Sequence, residues 1–388
     1  MAKGVRQCFR RNRAAFGVLP GESDRMSDMN EMEQARMAIS DIDAKMAELF
    51  EKRMEAVRVI AEYKRSNGLG IVDEKREAEI IARNADLIKD DVIRGHYVLF
   101  LKEAIRQSSS FQFRLNQGMR IAYTGVPGAF AYIAAKKMFP GANYVSCSDF
   151  SASYERVASG ECDVAVLPIE NSTAGDVGTV LDLIHSGDLF INRIVSIPIE
   201  QNLLGVKGAS KDTIRTVYSH PQALAQCSDY IRKHGYDQME RVNTAVAAKE
   251  IFDRNDVTAA AIASDETAEL YGLEIIERGI NSEKNNSTRF ACFSRSLNRT
   301  SGKSSGEGFI IVFSISNEVG SLAKALDIIG SNGFNMRNLR SRPMKTRMWK
   351  YYFYAELEGN AFSEAGADLM IQLKTICDEV RLAGTYAL

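Results

Sequence analysis

The sequence has little of what builds metal centres, disulfide frameworks or membrane spans. Its 388 residues include only four histidines and six cysteines, and no two cysteines form a C-x-x-C pair. This argues against a structural zinc site or a disulfide framework and favours a reducing, cytoplasmic environment. No apolar run approaches the roughly 18 residues that a membrane span requires. A net charge of −1 leaves no strong field to attract nucleic acid or a membrane surface.

The length of the chain indicates how many domains to expect, and its first residues indicate where the first domain begins. A chain of 388 residues is too long for one ordinary domain, so two or three are expected. Residues 1–28 carry five basic residues before any acidic one, a bias shared with transit peptides. Met26, Met29 and Met32 follow closely, and no long apolar segment is present. We therefore expect residues 1–28 to be a disordered or misassigned N-terminal extension.

A helical segment follows at residues 29–114. It contains no proline after position 30, and its apolar residues step by threes and fours from Ile39 to Ile60, which is helical periodicity. The pattern predicts three helices, over about 30–66, 73–87 and 91–114. The first would be about 50 Å long at 1.5 Å per residue. That is too long for the interior of a small domain, so a partner helix is expected.

The remainder of the chain divides into two further segments. Residues 120–296 alternate short apolar runs with helical stretches, which predicts an α/β domain. Residues 297–307 are rich in Ser, Gly and Lys, as linkers are. From 308 to 388 the order strand–helix–strand–strand–helix–strand predicts an α+β, ferredoxin-like sandwich.

Charged side chains accompany the apolar stripe of the first helix. Arg53 stands where a hydrophobic residue is due, and a buried cation needs a partner. Lys64 lies only about 20° from Arg53 around the helix. Arg36 lies about 25 Å away along the axis and cannot reach the same pocket from the same straight helix. It could do so from a second, antiparallel copy, so a dimer with shared sites follows if all three cations are used.

Polar residues also share faces of the next two helices. Asp73, Arg76 and Glu77 occupy positions i, i+3 and i+4, which is one face of a helix. Ser108 and Gln112 are spaced in the same way. A solvated face with salt bridges is the alternative interpretation of the charged trio.

This set of residues resembles the site of the all-helical chorismate mutases, which are intertwined dimers. The resemblance implies that Arg36 and Arg53 clamp the two carboxylates of chorismate. Lys64 and Gln112 would donate to the ether oxygen that breaks in the Claisen rearrangement, and Glu77 would hold the ring hydroxyl. The supporting residues would be Asp73, Arg76 and Ser108.

The register of the last pair has two interpretations. The S-x-x-x-Q spacing favours Ser108 and Gln112, whereas a gapless alignment from His96 places the pair at Ser109 and Phe113. The rearrangement itself needs no nucleophile, metal or cofactor, because the enzyme holds a compact conformer and stabilises developing charge.

Three polar clusters end or begin apolar, strand-like runs in the α/β segment. They are Pro168–Thr173, Tyr218–Gln222 with Gln226 one turn beyond, and Thr288–Phe290. Ligands of open α/β sheets bind outside the carboxyl ends of strands. Ser172 and Ser219 could also be simple helix caps, and His220 could be a turn residue.

Together the clusters resemble prephenate dehydratase, whose fold is similar to a two-lobed periplasmic binding protein. The resemblance implies loss of the ring hydroxyl as water and of the ring carboxylate as carbon dioxide. Thr288 would donate to the leaving hydroxyl, with Glu170 as a candidate proton source. Arg289 would pair with a substrate carboxylate, a structural ion pair being the alternative. The cleft would be lined by Asn171, Ser172, Thr173, Ser219, Gln222 and Gln226.

One loop departs from the dehydratase pattern G-P-x-G-[ST]-[FY]-[ST]. It reads Gly125-Val126-Pro127-Gly128-Ala129-Phe130-Ala131 in this chain. Two hydroxyls are therefore missing, together with the contacts that they would supply. A sensor that binds prephenate without turning it over is the rival interpretation.

The C-terminal segment resembles the amino-acid-binding regulatory (ACT) domain of the same family. The positions that match its G-A-L-V and E-S-R-P motifs are Gly320, Ser321, Leu322, Ser341, Arg342 and Pro343. The resemblance implies that L-phenylalanine binds at a dimer interface and inhibits the dehydratase. Arg340 replaces the glutamate of the second motif, which reverses the local charge. A purely structural dimerisation module is the alternative.

The whole sequence thus resembles the bifunctional chorismate mutase/prephenate dehydratases of phenylalanine biosynthesis. The expected order is a mutase at 29–114, a dehydratase at 120–296 and an ACT domain at 308–388. We expect chorismate, prephenate and L-phenylalanine as ligands, a homodimer or larger homo-oligomer, and no metal, cofactor, nucleic acid or membrane. No G-x-G-x-x-G turn follows a strand, which argues against a mutase fused to prephenate dehydrogenase.

Overall fold

The computed structural model describes residues 31–283, 285–298, 307–344 and 350–387. The predicted extension at 1–28 and most of the predicted linker lie outside these residues. Contacts within the chain divide it into two compact units, and the boundary falls between Val98 and Leu99.

Three helices begin the described chain, as the lack of proline predicts. They are α1 (Glu31–Ser66), α2 (Glu74–Ala85) and α3 (Asp91–Gln117). Gly68, with a positive φ of 65°, forms the turn after α1. Asp73 begins α2 by accepting a hydrogen bond from the Arg76 backbone N–H at 3.0 Å. In the described part of the chain, no helix combines the length and the apolarity needed to cross a membrane.

The apolar stripe of α1 is exposed in the single chain. Within α1 only Val57 and Ala61 are buried. Five stripe residues are between 41% and 62% exposed, namely Ile39, Ile42, Met46, Leu49 and Ile60. Burying one such side chain contributes about 1.5–3 kcal/mol. A contiguous exposed apolar stripe of this length is typical of an interaction surface.

After the C-terminal part of α3, the second unit continues with the predicted α/β segment. Its strands are β1 (Arg120–Thr124), β2 (Asn143–Cys147), β3 (Val164–Asn171), β4 (Gly175–Asp176), β5 (Phe190–Pro198), β6 (Asn202–Gly205), β7 (Thr216–Ser219), β8 (Asp237–Glu240), β9 (Ala259–Ala263), β10 (Glu274–Glu277) and β11 (Ser287–Ser294). Its helices are α4 (Phe130–Met138), α5 (Phe150–Ala158), α6 (Gly178–Ser186), α7 (Pro221–Gln226), α8 (Ser228–His234), α9 (Thr244–Arg254) and α10 (Asp265–Tyr271).

These strands form two separate sheets, each with its own buried core. The first sheet has the order β2-β1-β3-β11-β5, in which β11 runs antiparallel to both of its neighbours. The second has the order β10-β6-β9-β7-β8. The α/β architecture predicted from the alternating pattern is therefore present, with two sheets where two lobes were expected.

The C-terminal segment is a sandwich of one sheet and two helices. Its elements are β12 (Glu307–Ser314), α11 (Ser321–Ser331), β13 (Met336–Pro343), β14 (Tyr351–Glu358), α12 (Glu364–Ile376) and β15 (Glu379–Ala387). The antiparallel sheet has the order β13-β14-β12-β15, and Phe309, Phe313 and Leu369 belong to its core. The predicted βαββαβ, ferredoxin-like sandwich is confirmed.

Strand β15 joins this sandwich to the α/β sheet. Gly384 pairs in parallel with Ile191 of β5, and a Cβ atom at 384 would collide with the Ile191 backbone. Glycine is required here because the two backbones approach closely. The junction makes one continuous sheet from β13 to β2, a feature that the sequence did not predict.

Candidate active sites

A cleft in the second unit collects polar side chains from several elements, and we call it the β3–β11 cleft. Its lining residues are Ala129, Phe130, Asn171, Ile199, Gln201, His220, Gln222, Ala223, Gln226, Asn243, Thr244 and Thr288. Four of them are predicted site residues: Thr288 as a catalytic donor, and Asn171, Gln222 and Gln226 as substrate contacts. The three sequence clusters are distant along the chain, so the fold is what brings these four together.

Asn171 and Thr288 face each other across β3 and β11. The Asn171 Nδ2 donates to Thr288 Oγ1 at 2.9 Å and to the Asn286 side-chain oxygen at 2.8 Å. The Asn171 Oδ1 accepts from the backbone N–H groups of Thr173 and Ala174, which fixes the orientation of the amide. Because Thr288 Oγ1 accepts this hydrogen bond, its own hydrogen remains available for donation to a molecule in the cleft.

Three predicted cleft residues have structural contacts instead. Ser219 is fully buried and donates to a carbonyl of β9 at 2.6 Å. Ser172 accepts from the Ser287 N–H at 2.9 Å, and Thr173 donates to Glu283 at 3.0 Å. These last two bonds connect the loop after β3 to the first residue of β11 and to the segment before it. None of the three is among the residues that line the cleft, so their contact with substrate stays a prediction. The alternative of helix caps at Ser172 and Ser219 is not observed, because Val177 and His220 precede the next helices.

His220 caps helix α7 and lines the cleft. Its Nδ1 accepts a hydrogen bond from the Gln222 N–H at 3.2 Å, so Nδ1 carries no proton. Burial lowers the pKa of His220, which keeps the ring neutral near pH 7. The other ring nitrogen is then a hydrogen-bond donor. The residue is therefore more than the turn residue that the sequence offered as an alternative.

Glu170 and Arg289 lie on the sheet face that is opposite to the cleft. Successive residues of a strand point to opposite faces, so the chain neighbours of Asn171 and Thr288 point away from it. Arg289 donates to Glu170 at 2.9 Å and to the two oxygens of Glu356 at 2.8 and 3.0 Å. This geometry gives no support to the predicted roles of Glu170 as proton source and of Arg289 as a substrate contact. The alternative, a structural ion pair at Arg289, is observed.

Gln201 is the most informative cleft residue that the sequence did not indicate. It is 2% exposed, and its Nε2 lies 3.4 Å from Gln226 Oε1. Its own Oε1 has no hydrogen-bond partner among the described residues. An unsatisfied buried acceptor costs about 1–3 kcal/mol. A donor on a molecule bound in the cleft would supply the missing bond.

Two helices begin at the cleft. Ala129 and Phe130 stand at the start of α4, and Asn243 and Thr244 at the start of α9. Asn243 caps α9, whereas Ala129 makes no side-chain cap. The hydroxyl missing from the loop at 129 thus leaves the first N–H groups of α4 uncapped by a side chain. Helix N-termini of this kind favour anions.

The charged trio of α2 has contacts within its own helix. Asp73 is the N-cap of α2, and Arg76 pairs with Glu79 at 3.3 Å, with both of these side chains more than half exposed. Glu77 is partly buried. In the single chain, Asp73 and Arg76 therefore fit the alternative interpretation of a solvated, salt-bridged face.

The three candidate cations of α1 differ in exposure. Arg36 is exposed, whereas Arg53 and Lys64 are partly buried. Burial lowers the pKa of Arg53. The Lys64 ammonium donates to the Ile71 carbonyl at 2.5 Å, which draws the segment after α1 toward this side chain.

On α3, Ser108 and Gln112 are both buried, at 5% and 6% exposure. Ser109 and Phe113, the other register, are only partly buried. Ser108 donates to the Ala104 carbonyl at 2.9 Å, and Gln112 Oε1 has no hydrogen-bond partner among the described residues. The S-x-x-x-Q pair is therefore the one that lies in the interior.

The first regulatory motif opens helix α11. Gly320 has a positive φ of 83° just before the helix, and Leu322 packs against the core of the sandwich. Ser321 is the first residue of α11. In the second motif, Ser341 and Pro343 are exposed on β13.

Arg340 and Arg342 of β13 contact the α/β segment. Arg340 pairs with Glu170 at 2.6 Å and with Asp176. Arg342 pairs with Asp182 at 3.0 Å. The reversed charge at 340 is therefore matched by two carboxylates from the neighbouring segment.

Comparisons with known proteins assign the helical segment and the α/β segment to families. Residues 35–112 match the family model of chorismate mutase type II, and residues 121–298 match that of prephenate dehydratase. A bifunctional chorismate mutase/prephenate dehydratase of Buchnera aphidicola subsp. Acyrthosiphon pisum is 32% identical over 367 residues, which cover 90% of this chain and 95% of the relative.

Two solved structures are similar to about two thirds of this chain. The prephenate dehydratase of Arthrobacter aurescens in complex with L-Phe has a TM-score of 0.63 at 28% identity, over 69% of this chain and 90% of that one. A protein described as a novel type of quorum-quenching acylase, GqqA, has a TM-score of 0.64 at 30% identity, over 69% of this chain and 97% of that one.

Proposed function

This chain belongs to the family of bifunctional chorismate mutase/prephenate dehydratases, and we propose how its residues perform the two reactions. The helical segment converts chorismate to prephenate. The α/β segment converts prephenate to phenylpyruvate, water and carbon dioxide. The proposed domain bounds are 29–114, 120–296 and, for an ACT domain, 308–388. The observation that carries the dehydratase assignment is the Thr288 hydroxyl held by Asn171 at 2.9 Å in the cleft.

In the dehydratase, Thr288 donates a hydrogen bond to the ring hydroxyl as its C–O bond breaks. The electrons of the breaking ring–carboxylate bond enter the ring, carbon dioxide leaves, and the ring becomes aromatic. A threonine is too weak an acid for full proton transfer at pH 7, so its part is electrostatic. Glu170 faces away from the cleft, and the proton that completes the water molecule comes from solvent.

The substrate carboxylates are held by groups other than Arg289. The start of α4, uncapped at Ala129, and the start of α9 at Asn243 both line the cleft. Their N–H groups suit an anionic substrate. The unsatisfied oxygen of Gln201 accepts from the substrate hydroxyl, which is its one good donor.

In the mutase, catalysis is positioning and charge stabilisation. Arg36 and Arg53 clamp the two carboxylates, and Glu77 holds the ring hydroxyl. Lys64 and Gln112 stabilise the negative charge that grows on the ether oxygen. The burial of Gln112 supports this register, because a dry amide donor is stronger than one in water. Asp73, Arg76 and Ser108 support the pocket.

The mutase is proposed to be an intertwined homodimer, which could itself form larger oligomers. The exposed stripe from Ile39 to Ile60 is the surface that a second copy of α1 would cover. The same arrangement would deliver Arg36 of one chain to Arg53 and Lys64 of the other. Measurement of the molar mass in solution tests the stoichiometry directly.

Feedback by L-phenylalanine is proposed for the ferredoxin-like sandwich as an ACT domain. The Arthrobacter relative was solved with L-Phe, which supports the choice of ligand. The motif positions Gly320–Leu322 and Ser341–Pro343 are the proposed binding region. Arg340 is engaged with Glu170, so its charge reversal acts on the contact with the dehydratase.

A coupled assay tests these assignments together. Purified protein receives chorismate, and chorismate loss and phenylpyruvate formation are followed with and without L-phenylalanine. We expect both steps to proceed and L-phenylalanine to slow the second. Accumulation of prephenate would mean that the altered Gly125–Ala131 loop has disabled the cleft, and the second unit would then be a prephenate sensor.

A further inference from the structure

Glu356 is a buried acid that belongs to the sandwich rather than to the α/β segment. Its side chain is 3% exposed. Its two oxygens accept four hydrogen bonds, from both terminal nitrogens of Arg289 at 2.8 and 3.0 Å, from the Tyr354 hydroxyl at 2.9 Å and from the Tyr386 hydroxyl at 2.8 Å. Every partner group is a donor, so the site holds a carboxylate and not an acid.

The pKa shifts of Glu356 and Arg289 agree with this geometry. Burial raises the pKa of Glu356, but Arg289 and the two tyrosines outweigh burial and the net pKa is lowered. Burial also works to lower the pKa of Arg289, and the hydrogen bonds and charge of Glu356 more than reverse it. Both groups are therefore charged throughout the neutral range.

Arg289 is the chain neighbour of Thr288, and the strand is irregular immediately after Arg289. The pairing of β11 with β3 shifts register between Arg289 and Phe290, opposite Glu170 and Pro168. A β-bulge locally disrupts the ladder and re-aims the side chains beside it. Thr288 and Arg289 themselves stay paired with β3 and with β5, so the backbone that carries the Arg289 side chain on the far face is the same backbone that carries Thr288 at the cleft.

We propose that Glu356 is a positioning residue for dehydration, which fixes Arg289 and through it the Thr288 hydroxyl on the opposite face of β11. The inference rests on the proposed dehydratase function of the cleft. It makes the sandwich part of the catalytic framework, because a displacement of β14 or β15 would reach Thr288 through a single side chain. Glu356 itself does not line the cleft.

The test compares Glu356→Gln with Glu358→Gln in the full chain. Glu358 is two residues further on the same strand and pairs with Arg337 at 2.6 Å, with both side chains about 40% exposed. For Glu356→Gln we expect the kcat of prephenate dehydration to fall about tenfold with KM within about twofold, since small misplacements of a catalytic group act on the chemical step. Glu358→Gln should match the wild type.

A second pair of variants separates positioning from folding. Tyr386→Phe removes one hydrogen bond to Glu356 and keeps the ring, and we expect a kcat loss of about twofold to fivefold, smaller than that of Glu356→Gln. If Glu356→Gln does not fold, Tyr386→Phe decides alone: a lower kcat with an unchanged KM supports the role. A wild-type kcat in either folded variant overturns it.

A double-mutant comparison identifies the route. If Glu356 acts through Arg289, adding Glu356→Gln to Arg289→Met should cost less than about twofold further in kcat. Full multiplication of the two losses would overturn the proposed route. A wild-type chain that does not dehydrate prephenate would instead overturn the proposed function, and this inference with it.

Discussion

The two candidate sites differ in how much of each a single chain provides. In the β3–β11 cleft, Thr288 is 8% exposed and its hydroxyl is held by a buried asparagine. In the helical segment, Arg36 is exposed and the apolar stripe that should flank it faces solvent. From this difference we propose that the dehydratase site is complete in one chain, whereas the mutase site needs a second copy.

The largest expected effect is at Thr288. Thr288→Ala removes the donor to the leaving hydroxyl and should lower dehydration by about 10²–10³-fold, as loss of one preorganised donor does. The mutase should keep its wild-type rate. Thr288→Ser is the matched control and should recover part of the activity. More than a tenth of the dehydration left in Thr288→Ala would show that the role is wrongly assigned.

The reciprocal experiment is at Lys64. Lys64→Ala should lower mutase activity about 10²-fold, because a cation at the developing charge is lost, while dehydration of added prephenate stays unchanged. Arg65→Ala is the control, since Arg65 is exposed and pairs with Glu62 on the surface. Equal losses in the two variants would indicate a general effect of positive charge on this helix.

The role of the exposed apolar stripe of α1 can be tested by placing a charge within it. Leu49→Glu places a charge in the proposed dimer contact, and burying it there is costly. We expect the molar mass in solution to fall and the mutase rate to drop by about tenfold or more, with dehydration retained. Ala44→Glu is the control, because its position lies on the opposite face of α1. A monomeric variant with full mutase activity would refute the shared site.

A smaller effect concerns stability and pH. Tyr386→Phe should lower the free energy of unfolding by about 1.5–3 kcal/mol at pH 7, the range for a hydrogen bond to a charged group. The folded-state pKa of Glu356 is lowered, so this stabilisation is present above the unfolded pKa and is lost as pH falls through the folded value.

The difference between Tyr386→Phe and wild type should therefore shrink below about pH 4. Denaturant unfolding measured at several pH values gives the comparison. Tyr351→Phe is the matched control, because Tyr351 is an exposed tyrosine on β14, the strand that carries Glu356. A difference that stays constant down to acid pH would mean that the bond does not depend on the carboxylate.

The smallest expected effect is that of pH on the mutase rate, which should not change between neutral and alkaline pH. Gln112 is an amide donor at every pH, so the mutase should keep its rate at neutral and alkaline pH. Initial rates of chorismate consumption measured across that range provide the check. A steep loss between pH 6 and 8 would require a titrating group in place of Gln112.

The local periodicity of the sequence was enough to predict most of the fold. The alternation of side chains between the two faces of a strand could have predicted more of the site. The helices of the first segment and the βαββαβ order follow from periodicity and turns. Thr288 and Arg289 are adjacent, so they cannot share a face of a strand, and the sequence already excluded a joint role in one cleft.

Other features depend on contacts between distant segments. Glu356 meets Arg289 from 67 positions away in the chain, and no local pattern marks a buried carboxylate of this kind. Gln201 could not be predicted as a cleft residue either, because a single amide next to a buried strand forms no recognisable sequence pattern. The sheet junction at Gly384 depends on a close approach of two backbones, which follows only from the packed structure.

The most direct measurement of the central difference is a mixing experiment. Arg36→Ala and Lys64→Ala chains are each expected to lack mutase activity. When they are refolded together in equal amounts, half the dimers are hybrids and each hybrid holds one intact shared site, so about a quarter of the wild-type rate should return. Thr288→Ala mixed with Gln222→Ala should recover no dehydration. No recovery of mutase activity in the first mixture would show that each chain builds its mutase site alone.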